Sequence, residues 1–145
     1  MKISTRGRYA LRVMIDLTEH SGGNHIPLKD IAIRQEISLK YLEGIMTDLA
    51  KSGLLLVQHG KGGGYKLNGA ANDISVWKIL LAAEGDMTPI PCLEETAKPC
   101  MRAAECRTLP VWEKLYDLIR DYFEGITLAD LAISDPDSEG DNYVI

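Results

Sequence analysis

Apolar residues recur at helical spacing from the start of the chain. Ala10, Leu11, Met14 and Leu17 share one face over Thr5–His20. Ser4 or Thr5 can cap that helix, and Ser21-Gly22-Gly23-Asn24 ends it. Pro27 stands where a first helical position tolerates a missing N–H, so a second helix is expected over Leu28–Gln35 with Leu28, Ile31 and Ala32 inward. Ser38 opens a third, running to about Ser52. It places Leu39, Leu42, Ile45, Met46 and Leu49 inward, and Lys40, Glu43, Gly44, Thr47 and Lys51 outward. Gly53 suits a left-handed cap. Residues 54–58 and 65–67 read as short strands joined by Gly60-Lys61-Gly62-Gly63-Gly64.

Further along, a fourth helix is expected over 75–84, with Val76, Ile79, Leu80 and Ala83 buried. Residues 86–109 lose all periodicity and contain Pro89, Pro91 and Pro99. They read as an irregular segment with one helical turn after Pro99, and a loop of that length is usually functional or disordered. Pro110 opens a fifth helix through Glu124, and Gly125 stops it. Its stripe of Val111, Trp112, Leu115, Leu118, Ile119, Tyr122 and Phe123 is too wide for a small domain to cover, which predicts pairing of two such helices in a homodimer. Thr127 and Asp130 fit a capping box, with Asp in place of Glu, for a short helix ending near Ile133. From Ser134 the chain is acidic and expected to be disordered.

The expected fold class is therefore mainly α with a small β-wing: a winged helix-turn-helix domain over 1–84, a cysteine-containing segment over 85–109, a dimerisation helix and short terminal helix over 110–133, and a tail over 134–145. A chain of 145 residues suits one ordinary domain with an appended helix. It has no apolar run that would span a membrane and no secretory leader, so a reducing cytoplasm is expected. The net charge of −5 hides an asymmetry. Residues 1–67 hold ten Lys/Arg against six Asp/Glu, and residues 68–145 hold six against fifteen. A basic first half suits a polyanion such as double-stranded DNA, although asymmetry on a solvated surface can arise without one.

Helix, tight turn, helix and wing is the layout whose second helix enters a major groove. Ser38 serves as a helix cap and can also donate to a phosphate. Lys40, Tyr41 and Glu43 occupy the turns that contact base edges, where Glu accepts from cytosine and Lys donates to guanine or phosphate; a solvated helix face would hold the same residue types. Arg6, Arg8, Lys51 and Lys61 are further candidates for phosphate contacts. Four glycines in five residues exceed the need of a hairpin. Gly62 and Gly63 would let the backbone approach DNA closely, with His59 and Lys61 beside them. No nucleophile–base pair, nucleotide-binding loop or dinucleotide fingerprint appears, so an enzyme is not expected.

Cys92, Cys100 and Cys106 are the only cysteines. In a reducing compartment such a cluster binds metal or does redox chemistry more often than it forms disulfides, and three cannot all pair within one chain. An iron–sulfur cluster, a zinc site, redox-switch thiols and inert cysteines all remain open on spacing alone.

The stretches MKISTRGRYA at 1–10, SLKYLE at 38–43, GKGGGY at 60–65 and the 112–131 region ending in ITLADL resemble the iron–sulfur cluster regulators (IscR-like) of the Rrf-type winged helix-turn-helix family. The resemblance covers nearly all of residues 1–133. It implies a dimeric transcriptional repressor, with Cys92, Cys100 and Cys106 holding the cluster and Ser38, Lys40, Tyr41 and Glu43 on the DNA-reading helix. It favours a 2Fe-2S over a 4Fe-4S cluster, with cluster-assembly proteins as donors. Related regulators are instead cluster-free and controlled by a partner enzyme or by thiol oxidation. Three positions depart from the family pattern: Leu109 where a ligand His is common, Arg8 where some relatives carry an acidic ligand, and His59 where Arg is frequent. Glu94, Glu95, Glu105 and the three histidines are left as candidates for a fourth ligand.

Overall fold

The computed structural model of the chain describes residues 1–133; the expected acidic tail lies outside them. Helix α1 (Thr5–His20) starts where the Ser4 hydroxyl accepts from the Gly7 N–H. It buries Ala10, Val13, Met14 and Leu17. Helix α2 (Leu28–Gln35) ends at Glu36, whose φ of 54° lets its N–H reach back to the last carbonyls. This non-glycine residue in the left-handed region makes the tight turn before helix α3 (Leu39–Lys51). Strands β1 (Leu55–Gln58) and β2 (Gly64–Leu67) pair antiparallel, with Leu55 opposite Leu67 and Gln58 opposite Gly64.

The sheet is tied to the body by an isolated bridge. Ile26 and Tyr65 exchange backbone hydrogen bonds of 2.8 and 2.9 Å. A β-carbon on Gly64 would collide with the Ile26 carbonyl, and one on Gly63 with the Gln58 carbonyl; Gly62 has φ of 80°. Gly62 and Gly63 thus have reasons internal to the hairpin, and Gly64 has one in the bridge to Ile26.

A 3-10 turn at Ala71–Asp73 precedes helix α4 (Val76–Glu84), which lies along α1. The following segment keeps only two 3-10 turns, Pro91–Leu93 and Ala103–Glu105; the second matches the turn expected after Pro99. Helix α5 (Leu109–Glu124) begins with proline in its first turn. Helix α6 (Leu128–Leu131) begins with the expected Thr127–Asp130 capping box. Leu128 is fully buried among the α1–α3 core residues, and its N–H donates to the Ile74 carbonyl at 3.0 Å. The chain therefore leaves the body in α5 and returns to it in α6. No helix among the described residues is long and apolar enough to cross a membrane.

The stripe on α5 splits in two. Tyr116, Ile119 and Phe123 pack against Val76, Trp77, Leu80 and Met87, with the Tyr116 and Trp77 rings edge-on at 5.9 Å. Val111, Leu115, Leu118 and Tyr122 stay exposed, and no residue of α5 is fully buried. Ile119 and Phe123, expected on the pairing face, thus face α4 of their own chain, because α4 offers an apolar face of its own.

The core encloses one charged side chain, Asp16. Its carboxylate accepts from Arg34 Nε at 2.9 Å, Arg34 Nη2 at 2.7 Å and Gln35 Nε2 at 2.8 Å. Burial works to raise the carboxyl pKa, but the hydrogen bonds from Arg34 and Gln35 and the Arg34 charge outweigh it, so the group is held below its ordinary 3.8. Its contribution to stability is therefore complete above the unfolded value and fades as the pH falls through the folded one. Asp16→Asn is expected to cost about 1–3 kcal/mol at neutral pH, since Arg34 is partly exposed and can recover some hydration. The gap between variant and wild type should shrink in acid; denaturant unfolding near neutrality and near pH 3 measures it, and a constant gap would refute this role.

Candidate nucleic-acid interface and cysteine segment

Ser38 has extended backbone, and its hydroxyl accepts from the Tyr41 N–H at 3.2 Å. That cap fixes the first turn of α3. Leu42, Ile45, Met46 and Leu49 lock the helix to the core from below, each fully buried. Lys40, Tyr41, Glu43, Thr47 and Lys51 are left exposed on its outer side, as their spacing predicts. Leu39 does not follow the expectation. It is 47% exposed, because its side chain lines the groove toward the wing rather than the core.

That groove has a volume of about 610 Å³, and Leu39, Glu43, Thr47, Val57, His59 and Tyr65 line it with the backbone of Gly63. Glu43 and His59, predicted from opposite ends of the motif, thus meet across one cleft. Among the described residues no donor bonds the Glu43 carboxylate, so it remains available to an incoming donor. Glu43 shares the cleft with Tyr65 of β2; burial, and then the charge of Glu43, push the Tyr65 phenol up. Lys40, Tyr41, Lys51, Lys61 and Gly62 lie outside the cleft lining.

Tyr41 stands edge-on to Tyr9 of α1 at 5.9 Å, and the Arg12 guanidinium sits 5.0 Å from the Tyr9 ring centre. Arg8 is exposed and donates to the Thr5 hydroxyl at 2.9 Å. Arg6 is half-buried. It bonds the Asp48 carboxylate through Nε and Nη2, and the Gly44 carbonyl at 2.8 Å. Leu39 and the Arg6–Asp48 pair are the parts of this surface that periodicity missed. Leu39 shares the phase of the buried stripe, and the pairing partners lie 42 positions apart.

The three cysteines share the segment between α4 and α5. Cys92, in the turn Pro91–Leu93, and Cys100 are exposed; Cys106 is half-exposed just before α5. The Cys106 thiol lies 3.4 Å from the Thr108 hydroxyl. That hydroxyl, and then the N–H groups of Thr108 and Leu109, hold its pKa below the usual thiol value. Among the described residues no three Cys, His, Asp or Glu side chains are gathered as a metal-holding group, so the expected three-cysteine site is not assembled in this structure. The physical reason is that short 3-10 turns supply no packing to draw the sulfurs together. The donor chemistry itself fits an iron–sulfur cluster: three accessible soft sulfur ligands on one segment. Of the candidates for a fourth ligand, Glu94, Glu95 and Glu105 lie on that segment and are exposed; His20, His25 and His59 lie on α1, the α1–α2 connection and the wing.

The family model described as Rrf2, iron-dependent transcriptional regulator, matches residues 3–134. Proteins named HTH-type transcriptional regulator IscR from Vibrio campbellii and Pectobacterium carotovorum are 37% identical over 131 residues, 90% of this chain and 77% and 79% of theirs. Among solved structures, CymR, the global cysteine regulator of B. subtilis, superimposes with a TM-score of 0.71 at 32% identity, covering 91% of this chain and 96% of that one. IscR from T. potens gives 0.67 at 35% identity, covering 90% and 85%. A non-enzymatic winged helix-turn-helix regulator accounts for the open recognition face, and the chain belongs to the Rrf2 family of iron-dependent transcriptional regulators.

Proposed function

We propose that this protein is a cytoplasmic, homodimeric DNA-binding regulator whose affinity or site choice is set by an iron–sulfur cluster on Cys92, Cys100 and Cys106. The observation that carries this reading is the position of the three accessible thiols, all on the stretch between the DNA-reading body and α5. The IscR names of relatives at 37% identity support the cluster, and we favour a 2Fe-2S over a 4Fe-4S form from the resemblance of the sequence motifs. When bound, the cluster supplies a redox- and iron-sensitive crosslink between the sulfurs. Cluster-assembly proteins are its proposed donors, and Glu94, Glu95 and Glu105 are the nearest candidates in sequence for the fourth ligand.

The protein's own side chains do the reading. Glu43 accepts from a cytosine amino group in the major groove, and Ser38, Lys40 and Tyr41 contact phosphates or base edges around it. His59, Lys61, Gly62 and Gly63 bring the wing to the adjacent backbone, while Arg8 and Lys51 add phosphate contacts. The exposed face Val111, Leu115, Leu118 and Tyr122 packs against its copy in a second protomer.

A second reading has its own support. CymR from Staphylococcus aureus, 34% identical with a TM-score of 0.68, is described in an oxidised form. A cluster-free regulator controlled by oxidation of its exposed thiols, or by a partner enzyme, would use the same fold.

Anaerobic reconstitution with iron and sulfide separates the two. Wild type should develop visible charge-transfer bands with about two irons per protomer, and each single Cys→Ala variant should remain folded and colourless. A colourless wild type would favour the second reading, and variants retaining wild-type iron would refute the ligand set.

For the dimer, Leu115→Glu with Leu118→Glu should give a monomer in sedimentation velocity and weaken DNA binding by orders of magnitude. A dimer that persists would move the interface elsewhere.

For base reading, Glu43→Ala should broaden the set of bound sequences in a site-selection library, with unchanged or tighter binding to some. Lys40→Ala should weaken all sites by a similar factor and lower the log–log salt slope by about 1 per reading head. Equal, sequence-independent losses in both variants would remove Glu43 from specificity.

A further inference from the structure

Helix α3 carries a glycine in its middle. Gly44 has ordinary right-handed backbone, so no turn demands it. Glycine at such a position weakens a helix relative to alanine. The structure gives a reason for it. A β-carbon at 44 would stand 3.4 Å from Arg6 Nη1 and 3.5 Å from Nη2, in van der Waals contact with a guanidinium delivered from α1. A bulky side chain at 44 would compete with that group for the same space.

The guanidinium is firmly placed. Nε donates to Asp48 Oδ2 at 3.0 Å, and Nη2 donates to the same oxygen and to the Gly44 carbonyl at 2.8 Å. Nη1 makes no hydrogen bond among the described residues. It lies beside Gly44, the residue that follows Glu43 on α3. Lys40 and Lys51 sit near the two ends of α3, and between them the helix bears no cation of its own. Arg6 fills the gap.

Resting on the DNA-binding reading above, we infer that Gly44 and Asp48 install the α1 residue Arg6 on the recognition face, where Nη1 donates to a DNA phosphate. The geometry selects phosphate over a base. Bidentate recognition of guanine needs two neighbouring guanidinium nitrogens, and both Nε and Nη2 are already committed to Asp48. One remaining nitrogen suits a phosphate oxygen, which positions the helix without reading sequence. Asp48 is a positioning residue: it orients the guanidinium and touches no DNA itself.

The test separates direct contact from long-range charge. Arg6→Gln together with Asp48→Asn leaves the net charge of the pair unchanged and removes the Nη1 donor. Binding to a fluorescent random-sequence duplex, followed by anisotropy, should weaken about tenfold, with a thermal melt confirming the fold. Gly44→Leu, which alters no charge, should reproduce the loss by displacing the guanidinium, and it carries the test alone if the double variant fails to fold. Wild-type affinity in Gly44→Leu, or in a folded double variant, would overturn the inference and leave Arg6 as a strut between helices. A wild-type protein that binds no duplex would overturn the DNA-binding reading, and this inference with it.

Discussion

Two carboxylate–guanidinium contacts of opposite polarity hold the reading head together, and both run through α1. Near its C-terminal end α1 contributes the acid: buried Asp16 accepts from Arg34 and Gln35 of α2. Near its N-terminal end it contributes the base: Arg6 grips Asp48 and the Gly44 carbonyl of α3. Apolar packing alone permits a helix pair to slide or rotate by small amounts, since dispersion is non-directional. The paired donors and acceptors at the two ends of α1 remove that freedom. They fix the angle at which α2 and α3 leave the body, and hence the direction in which α3 presents its outer face.

The N-terminal contact extends one step further. Glu84, the last residue of α4, accepts from the Ser4 N–H at 2.8 Å and the Ser4 hydroxyl at 2.7 Å, at the cap of α1. The next residues lead toward Cys92. The first turn of α1 thus touches both the helix that enters the cysteine segment and, through Arg6, helix α3 with its exposed outer face. The cation charges of the first half and the acidic surplus of the second are joined at this corner of the molecule.

Much of this architecture was legible in the residues. Local signals located all six helices: Ser4, Ser38, Ser75 and Thr127 each accept from a backbone N–H three residues on, and α2 and α5, which lack a side-chain cap, are marked by Pro27 and Pro110. The outer face of α3 was legible for the same reason, and the short motifs carried the family. What periodicity cannot express is where a helix runs past its neighbours. Leu39 belongs to the buried phase of α3 and lies outside, and Ile119 belongs to the apolar phase of α5 and turns to α4. The glycines of the wing looked excessive until the Ile26–Tyr65 bridge appeared, a contact between residues far apart in the chain. The cysteines form a separate case. Their number and segment are plain in the sequence, whereas their mutual geometry depends on a segment whose own residues provide little to fold it.

Leu128 bears on how the protein comes into being. This side chain, near the end of the described chain, is fully buried, and its helix lies against α1 and the turn Ala71–Asp73. On a ribosome, the body that reads DNA cannot close its core until that leucine has emerged, and by then the thiol-bearing segment and α5 have been made. A chain ending before Leu128 would leave that side of α1 uncovered. The fold therefore couples completion of the core to synthesis of the cysteine segment and α5.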